Sequence, residues 1–145
     1  MLCQTLPARG HATRWLRAVF AACFLLVPIA VAAQSDIQNS PVGRWLAEDI
    51  DGGGVIDRLQ TILEIAEDGA VSGTGGCNRM VGKATIAGDA LTFGPIASTQ
   101  MACTPAAMAQ ERKFFDALEK VRSWRVDIQR RKLTLLDAQG KPLVV

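Results

Sequence analysis

One glycine-rich stretch organises this 145-residue sequence: Val71-Ser72-Gly73-Thr74-Gly75-Gly76-Cys77-Asn78-Arg79. A Walker A phosphate loop ending at Lys83 is excluded, because Cys77 and Ala84 stand where that motif needs glycine and serine or threonine. A dinucleotide-binding fingerprint fails at Asn78, where a third glycine is required. We therefore interpret the glycines as permitting a sharp bend or a close backbone approach, and Asn78 as capping a turn.

Short β-like runs separated by Gly and Asp lie on both sides of this bend. Asp68-Gly69 and Gly88-Asp89 are hairpin signals between such runs. In the run that begins at Leu59, alternate side chains suit one buried face of a strand. These patterns predict strands at residues 44–50, 59–65, 71–75, 84–87, 90–93, 96–99, 123–128, 133–136 and 143–145.

One helix is predicted over residues 105–121. Thr104 is a suitable N-cap, and Pro105 suits the first helical position because its missing N–H needs no partner there. An apolar stripe recurs at helical spacing, and its members are Ala107, Phe114, Phe115, Leu118 and Val121. The expected class is α+β: an antiparallel sheet curled into a small barrel-like fold with one packed helix.

Four aromatic side chains are candidates for an apolar pocket: Trp45, Phe114, Phe115 and Trp124. The simplest interpretation makes both tryptophans core residues, with Trp124 sharing a strand face with Val126 and Ile128. A tryptophan at an open barrel mouth would instead be a binding residue. A carrier of an acyl chain would need a cavity between the helix and the sheet.

The N-terminus has the order of a secretory signal peptide. Three arginines without an acid precede an uncharged apolar run over residues 18–33, which is too short for an untilted membrane span. We expect residues 1–33 to be removed near Ala33, residues 34–41 to form a flexible lead-in, and the mature domain to cover 42–145 in the periplasm or outside the cell. Lipidation at Cys23 is the weaker alternative, because Phe20 suits a lipobox poorly.

Removal of that segment changes which chemistry is available. The only histidine, His11, lies within it, so the mature chain lacks the imidazole of hydrolase triads and common zinc sites. Of the 16 basic side chains three are lost, which leaves 13 against 14 acidic ones and a net charge of −1. We therefore expect no enzyme activity, no cofactor, no metal and no nucleic-acid partner, and we interpret the basic run 130–132 as a solvated hairpin tip.

The two mature cysteines, Cys77 and Cys103, form an even count in an oxidising compartment. A disulfide between them is predicted, and the chain-entropy account gives it about 3.5 kcal/mol of stability. Two buried free thiols are the alternative. A redox-active pair is a further alternative, but Cys77 and Cys103 do not have the Cys-x-x-Cys spacing that is usual for such pairs.

Glu111 falls within the apolar stripe of the predicted helix. A carboxylate on a core-facing position needs a charge partner or hydrogen bonds, because an isolated buried charge costs several kcal/mol. Arg79 is the partner we expect first, and the backbone N–H groups of the 75–79 turn are the rival. The remaining alternative is that Glu111 reaches solvent at the edge of the stripe.

Three separated motifs give the chain a family resemblance. They are the 71–79 stretch, Ile96-Ala97-Ser98-Thr99-Gln100-Met101-Ala102-Cys103, and Gln110-Glu111-Arg112-Lys113-Phe114-Phe115. In this order they resemble the META domain family over about residues 42–145. The chain departs from the usual family pattern at Met80, Ala84 and Gln100. The resemblance assigns motif roles to Gly75, Gly76, Asn78, Arg79, Thr99, Met101 and Glu111.

The resemblance also implies a small β-rich fold with a packed helix, an envelope location, and roles in stress tolerance, motility or virulence, without an established enzymatic activity. The expected function is that of a non-enzymatic periplasmic monomer that supports the cell envelope by binding a protein or another envelope component. The alternative is a carrier of lipid or another apolar small molecule, which is suggested by a fold-level likeness to lipid-binding secretin pilotins.

Overall fold

The protein is described by a computed structural model that covers residues 39–145. The expected signal peptide, its cleavage near Ala33, the alternative lipidation at Cys23 and the single histidine all lie outside these residues. Within them, the chain forms nine strands and one helix. These are β1 (Gly43–Leu46), β2 (Ile62–Ile65), β3 (Ala70–Thr74), β4 (Arg79–Ala87), β5 (Ala90–Phe93), β6 (Ala97–Ser98), α1 (Pro105–Lys120), β7 (Ser123–Asp127), β8 (Lys132–Leu136) and β9 (Pro142–Val144).

The strands make one antiparallel sheet in the order β1-β2-β3-β4-β5-β7-β8-β9, with β6 paired to β4. The long strand β4 pairs with β3 through its first half and with β5 through its second half. The sheet curls so far that Ile50, just beyond β1, forms an isolated antiparallel bridge with Val144 of β9. The expected α+β class and curled sheet are confirmed.

Both hairpin signals lie at turns. Asp68-Gly69 connects β2 to β3, and Gly69 adopts a φ of 78° there, which glycine reaches without a steric penalty. Gly88-Asp89 connects β4 to β5. The dipeptides therefore mark the positions of both hairpin turns.

Helix α1 packs its apolar stripe against the concave face of the sheet. Thr104 caps it as expected, because its side-chain oxygen accepts the N–H of Ala107 at 3.3 Å. Phe114 and Leu118 are fully buried, together with sheet residues such as Ile65 and Leu135. This single core fixes the position of every site described below.

Several strand bounds differ from the prediction. The first strand ends at Leu46, because the backbone of the next residues turns towards Val145. Ile128 lies beyond the end of β7 and is 48% exposed, so it does not share the buried face of Trp124. Pro41, placed at the end of the lead-in, is buried and its carbonyl accepts the indole N–H of Trp45 at 2.8 Å.

Candidate functional site

The predicted disulfide is present. Cys77 lies in the turn between β3 and β4, and Cys103 lies just before the N-cap of α1, with Cα atoms 6.1 Å apart. The bond joins the glycine-rich bend to the start of the helix across 26 positions of sequence. It therefore fixes the end of the sheet against the helix.

Glu111 lies on the core-facing side of α1 and is only 8% exposed. Its Oε2 accepts the backbone N–H of Cys77 at 3.2 Å and that of Asn78 at 2.5 Å, and its Oε1 accepts the side-chain amide of Asn78 at 2.8 Å. The expected pairing with Arg79 is wrong, because that side chain is exposed and its strand position points it outward. The turn amides, which were the rival partners, hold the carboxylate instead.

Asn78 extends these contacts to a third segment. Its Oδ1 accepts the hydroxyl of Thr99 at 2.8 Å and the backbone N–H of Met101 at 2.7 Å. The Thr99 backbone in turn donates to the carbonyl of Arg79 at 3.0 Å. One buried amide thus joins the bend, the helix and the segment after β6.

The glycines at the bend allow this close approach. A Cβ added at Gly75 would lie 2.5 Å from Cγ of Glu111, so any larger residue would push the helix away. Gly76 has a φ of 121° and packs against Leu59. The motif residues of the resemblance therefore share one structural location, although the side chains of Arg79 and Met101 face solvent there.

Sequence reasoning missed two members of this buried network, Gln110 and Thr61. Gln110 accepts the N–H of Ile56 at 2.6 Å and donates to the hydroxyl of Thr61 at 3.0 Å, which donates to the carbonyl of Gly75 at 3.0 Å. Helical spacing could have identified Gln110, because it lies three positions after Ala107 and four before Phe114. We call the set of Thr61, Asn78, Gln110, Glu111 and the disulfide the polar clamp.

The polar clamp is internally satisfied. Within residues 39–145, every buried side-chain nitrogen or oxygen atom has a hydrogen-bond partner. Buried polar groups that are fully paired make a structure rigid and specific. The clamp therefore stabilises the fold, and its polar atoms are already occupied.

A second location has the opposite character. In the described part of the chain, β1 pairs only with β2, and β9 pairs with β8 only at Leu135 and Leu136. The first half of β8 and the whole of β1 thus face each other without a strand between them. We call this gap the open seam, with β1 on one side and residues 132–134 of β8 on the other.

A cleft of about 280 Å³ occupies the open seam. Phe114 of the helix and Leu63, Leu133 and Leu135 of the sheet form its apolar floor, and Trp45 lies at its side. Trp45 is only half-buried although it lies on the core-facing side of β1, because the seam exposes it.

The other two aromatic candidates lie elsewhere. Phe115 contacts Phe114 with ring centroids 6.1 Å apart, outside the lining of the cleft. Trp124 is a core residue, and its indole N–H donates to the carbonyl of Gly88 at 3.0 Å. The cleft therefore brings together two of the four residues that the sequence singled out.

Charged side chains surround the cleft. Arg44, Arg131 and Lys132 contribute three positive charges, and Glu48 contributes one negative charge. Lys132 and Glu48 form an ion pair that spans the seam on its outer side. The rim is thus predominantly basic around an apolar floor.

A separate ion pair lies at the surface beside β9. Nζ of Lys141 is 2.7 Å from Oδ1 of Asp51. The hydrogen bond and charge of Lys141 lower the pKa of Asp51, and those of Asp51 raise the pKa of Lys141. Both side chains are solvent-accessible, so water screens this attraction.

The described residues show neither a membrane-spanning helix nor a cluster of metal ligands. Over residues 39–145, no helix has the length and hydropathy that a membrane span requires. In the same residues, acidic, histidine and cysteine side chains do not gather in groups of three or more that could ligate a metal ion.

Two solved protein structures have folds similar to that of this chain. A protein solved by NMR is 26% identical with a TM-score of 0.52, over 70% of this chain and 86% of that one. A protein from Burkholderia xenovorans, also solved by NMR, is 24% identical with a TM-score of 0.55, over 70% of this chain and 77% of that one, and this likeness concerns the fold alone. No curated protein matches the chain. A model of the META domain matches residues 37–145, which is well over half of the sequence, and the chain belongs to the META domain family.

Proposed function

We propose that this protein is a non-enzymatic, exported META-domain protein that supports stress tolerance of the cell envelope by binding a protein. The observation that carries the proposal is the open seam, where an apolar floor lies between two strand edges to which residues 39–145 supply no partner strand. Unpaired strand edges are surfaces onto which another chain can bind. The polar clamp contributes the rigid frame that holds the seam in shape.

The small volume and solvent exposure of the cleft together favour a protein segment over a stored lipid. Pockets for small molecules span about 300–1,000 Å³ and enclose most of the ligand. The cleft measures about 280 Å³ and is open to solvent between the strands. A buried acyl chain would also leave the backbone groups of both strand edges without hydrogen bonds.

A carrier of lipid or another apolar small molecule is the second candidate. It is favoured by the presence of Trp45 and Phe114 in the cleft lining. Native mass spectrometry of protein purified from its own envelope fraction separates the two candidates. A bound lipid retained in stoichiometric amount would support the carrier and contradict the first proposal.

Export is part of the proposal and has its own test. The mature protein should begin near Gln34, which intact mass determines. A mass that corresponds to a chain beginning at Cys23 and carrying acyl chains would indicate a lipid-anchored protein instead. A full-length cytosolic protein would contradict export.

Binding is tested with a photo-crosslinking amino acid placed at Leu46, which lies on β1 and is 55% exposed. The matched control carries the same group at Thr85, an exposed position on β4 outside the cleft lining. Irradiation of intact cells should give one protein adduct from position 46 and none from position 85. Equal adducts from both positions, or lipid adducts alone, would contradict the proposal.

A further inference from the structure

We propose that the open seam binds an extended segment of the partner protein as an added β-strand, antiparallel to both β1 and β8. This inference rests on the proposed function and names the chemistry of the partner. Its segment would alternate apolar side chains facing the core with acidic side chains facing out.

The edge of β1 presents free backbone groups. Ala47 donates its N–H to the carbonyl of Thr61, on the β2 side. Backbone N–H and C=O groups alternate between the two sides of a strand. Those of Arg44 and Leu46 therefore point into the open seam, where the described chain supplies no strand to pair with them.

The edge of β8 presents the complementary set. Trp124 donates its N–H to Asp89, away from β8, so the next residue of β7 directs its groups towards Thr134. By the same alternation, Leu133 directs its N–H and C=O away from β7. Strand β9 pairs only from Leu135 onward, so the Leu133 groups also point into the seam.

Where β9 enters it, the gap has the width of one strand. Val144 of β9 pairs with Leu135 on one side and with Ile50 on the other, and both pairings are antiparallel. The backbone of Val145 still bonds to Asp49 on the β1 side. A strand that lies on the same line beyond Val145 would run between β8 and β1, at the normal spacing of about 4.8 Å from each.

Side chains around the seam specify the partner further. Inward-facing positions of an added strand would meet Phe114 and Leu133 in the apolar floor. Outward-facing positions would lie beside Arg44, Arg131 and Lys132, of which only Lys132 has an ion-pair partner among the described residues. Acidic residues at those positions complement the rim charge, and basic ones would be repelled.

The test uses a six-residue peptide of alternating valine and glutamate, capped at both ends, titrated into the ¹⁵N-labelled mature protein. The amide signals of Leu46 and Leu133 should shift together, and a peptide of alternating valine and lysine should bind at least about tenfold more weakly. Leu46→Pro removes the seam-facing N–H and should weaken binding about tenfold. Leu46→Ala keeps that N–H and should change binding by less than about threefold.

A second reagent keeps the test valid if Leu46→Pro does not fold. A valine–glutamate peptide N-methylated at alternate residues loses the donors on one edge, and it should not bind to the unmodified protein. Equal binding of methylated and unmethylated peptides would overturn strand addition, as would equal effects of Leu46→Pro and Leu46→Ala. Self-association through the seam, visible as a dimer by sedimentation and competed by neither peptide, would also overturn it.

The two proposals fail separately. If position 46 crosslinks to an envelope protein but Arg44→Pro, which removes the other seam-facing N–H of β1, leaves that adduct unchanged, protein binding stands and strand addition is wrong. If position 46 gives no protein adduct while the peptide still binds through both edges, the seam chemistry stands and the cellular function is wrong.

Discussion

The polar clamp and the open seam lie on the same small sheet, and they treat backbone groups in opposite ways. At the clamp, the side chains of Glu111 and Asn78 accept hydrogen bonds from backbone N–H groups in turns, which have no partner strand in the sheet. At the seam, the backbone groups of Leu46 and Leu133 belong to regular strands and have no described partner. The first region uses side chains to complete the fold, and the second leaves backbone groups accessible.

This difference separates stability from binding. Substitutions in the clamp should lower the free energy of unfolding because they leave buried groups unpaired. Substitutions in the seam should change partner binding with little change in stability, because the groups there already face solvent.

Glu111→Ala should have the largest effect on stability. Three donors from Cys77 and Asn78 lose their acceptor, and buried unpaired groups cost about 1–3 kcal/mol each, so the free energy of unfolding should fall by about 4 kcal/mol. Urea denaturation measures this fall. The matched control is Glu119→Ala, an exposed position on the same helix, which should stay within about 0.5 kcal/mol of the parent protein. Equal effects at both positions would contradict the role of the clamp.

Removal of the disulfide should rank second. The double variant Cys77→Ala/Cys103→Ala should lose about 3.5 kcal/mol, because the unfolded chain regains the freedom of the loop between the two positions. A reductant should lower the denaturation midpoint of the parent protein and leave that of the double variant unchanged. A parent protein insensitive to reductant would show that the bond adds no stability.

Proline should destabilise the central strand β2 more than the edge strand β1. Glu64→Pro removes an N–H that faces β3 within the sheet and should cost about 2 kcal/mol or more. Leu46→Pro removes an N–H that faces the seam and should cost less than about 1 kcal/mol. Both side chains lie on the outer face, so thermal unfolding of the two variants isolates the backbone effect. Similar losses would mean that the β1 edge is already paired.

Much of the fold was predictable because its signals are local. Thr104 and Pro105 mark the start of the helix, and Asp68-Gly69 and Gly88-Asp89 mark hairpins, through backbone preferences that act over a few residues. The disulfide was predictable because two cysteines follow the expected signal peptide and the expected compartment is oxidising. Glu111 was identified as a buried carboxylate, but Arg79 was preferred over the turn amides that hold it.

The remaining features depend on contacts between distant segments. The Gln110–Thr61 hydrogen bond joins residues 49 positions apart, and a glutamine on a helix usually faces solvent. The strand β4 begins five residues earlier than expected, because its polar and glycine positions weaken the local strand pattern. The open seam depends on how far the sheet curls to bring β1 beside β8, two strands 86 residues apart at their closest ends, and no local pattern encodes that approach.

The smallest stability effect should come from the surface pair beside β9. Because the folded-state pKa of Asp51 is lowered, the pair adds stability above its ordinary pKa of 3.8, and this is lost as pH falls through the lowered value. Lys141→Ala should therefore lower the melting temperature slightly at neutral pH and have a smaller effect in acid, as the pH falls through the lowered pKa of Asp51. High salt should remove the neutral-pH difference. An equal shift at neutral and acidic pH would show that the lysine acts through packing rather than charge.

The most direct measurement of the open seam is amide hydrogen exchange in the free mature protein. The N–H groups of Leu46 and Leu133 should exchange at least about a hundredfold faster than those of their strand neighbours Trp45 and Thr134, which face paired strands. Protection of Leu46 and Leu133 equal to that of their neighbours, without any added peptide, would mean that the seam is closed and would contradict the account.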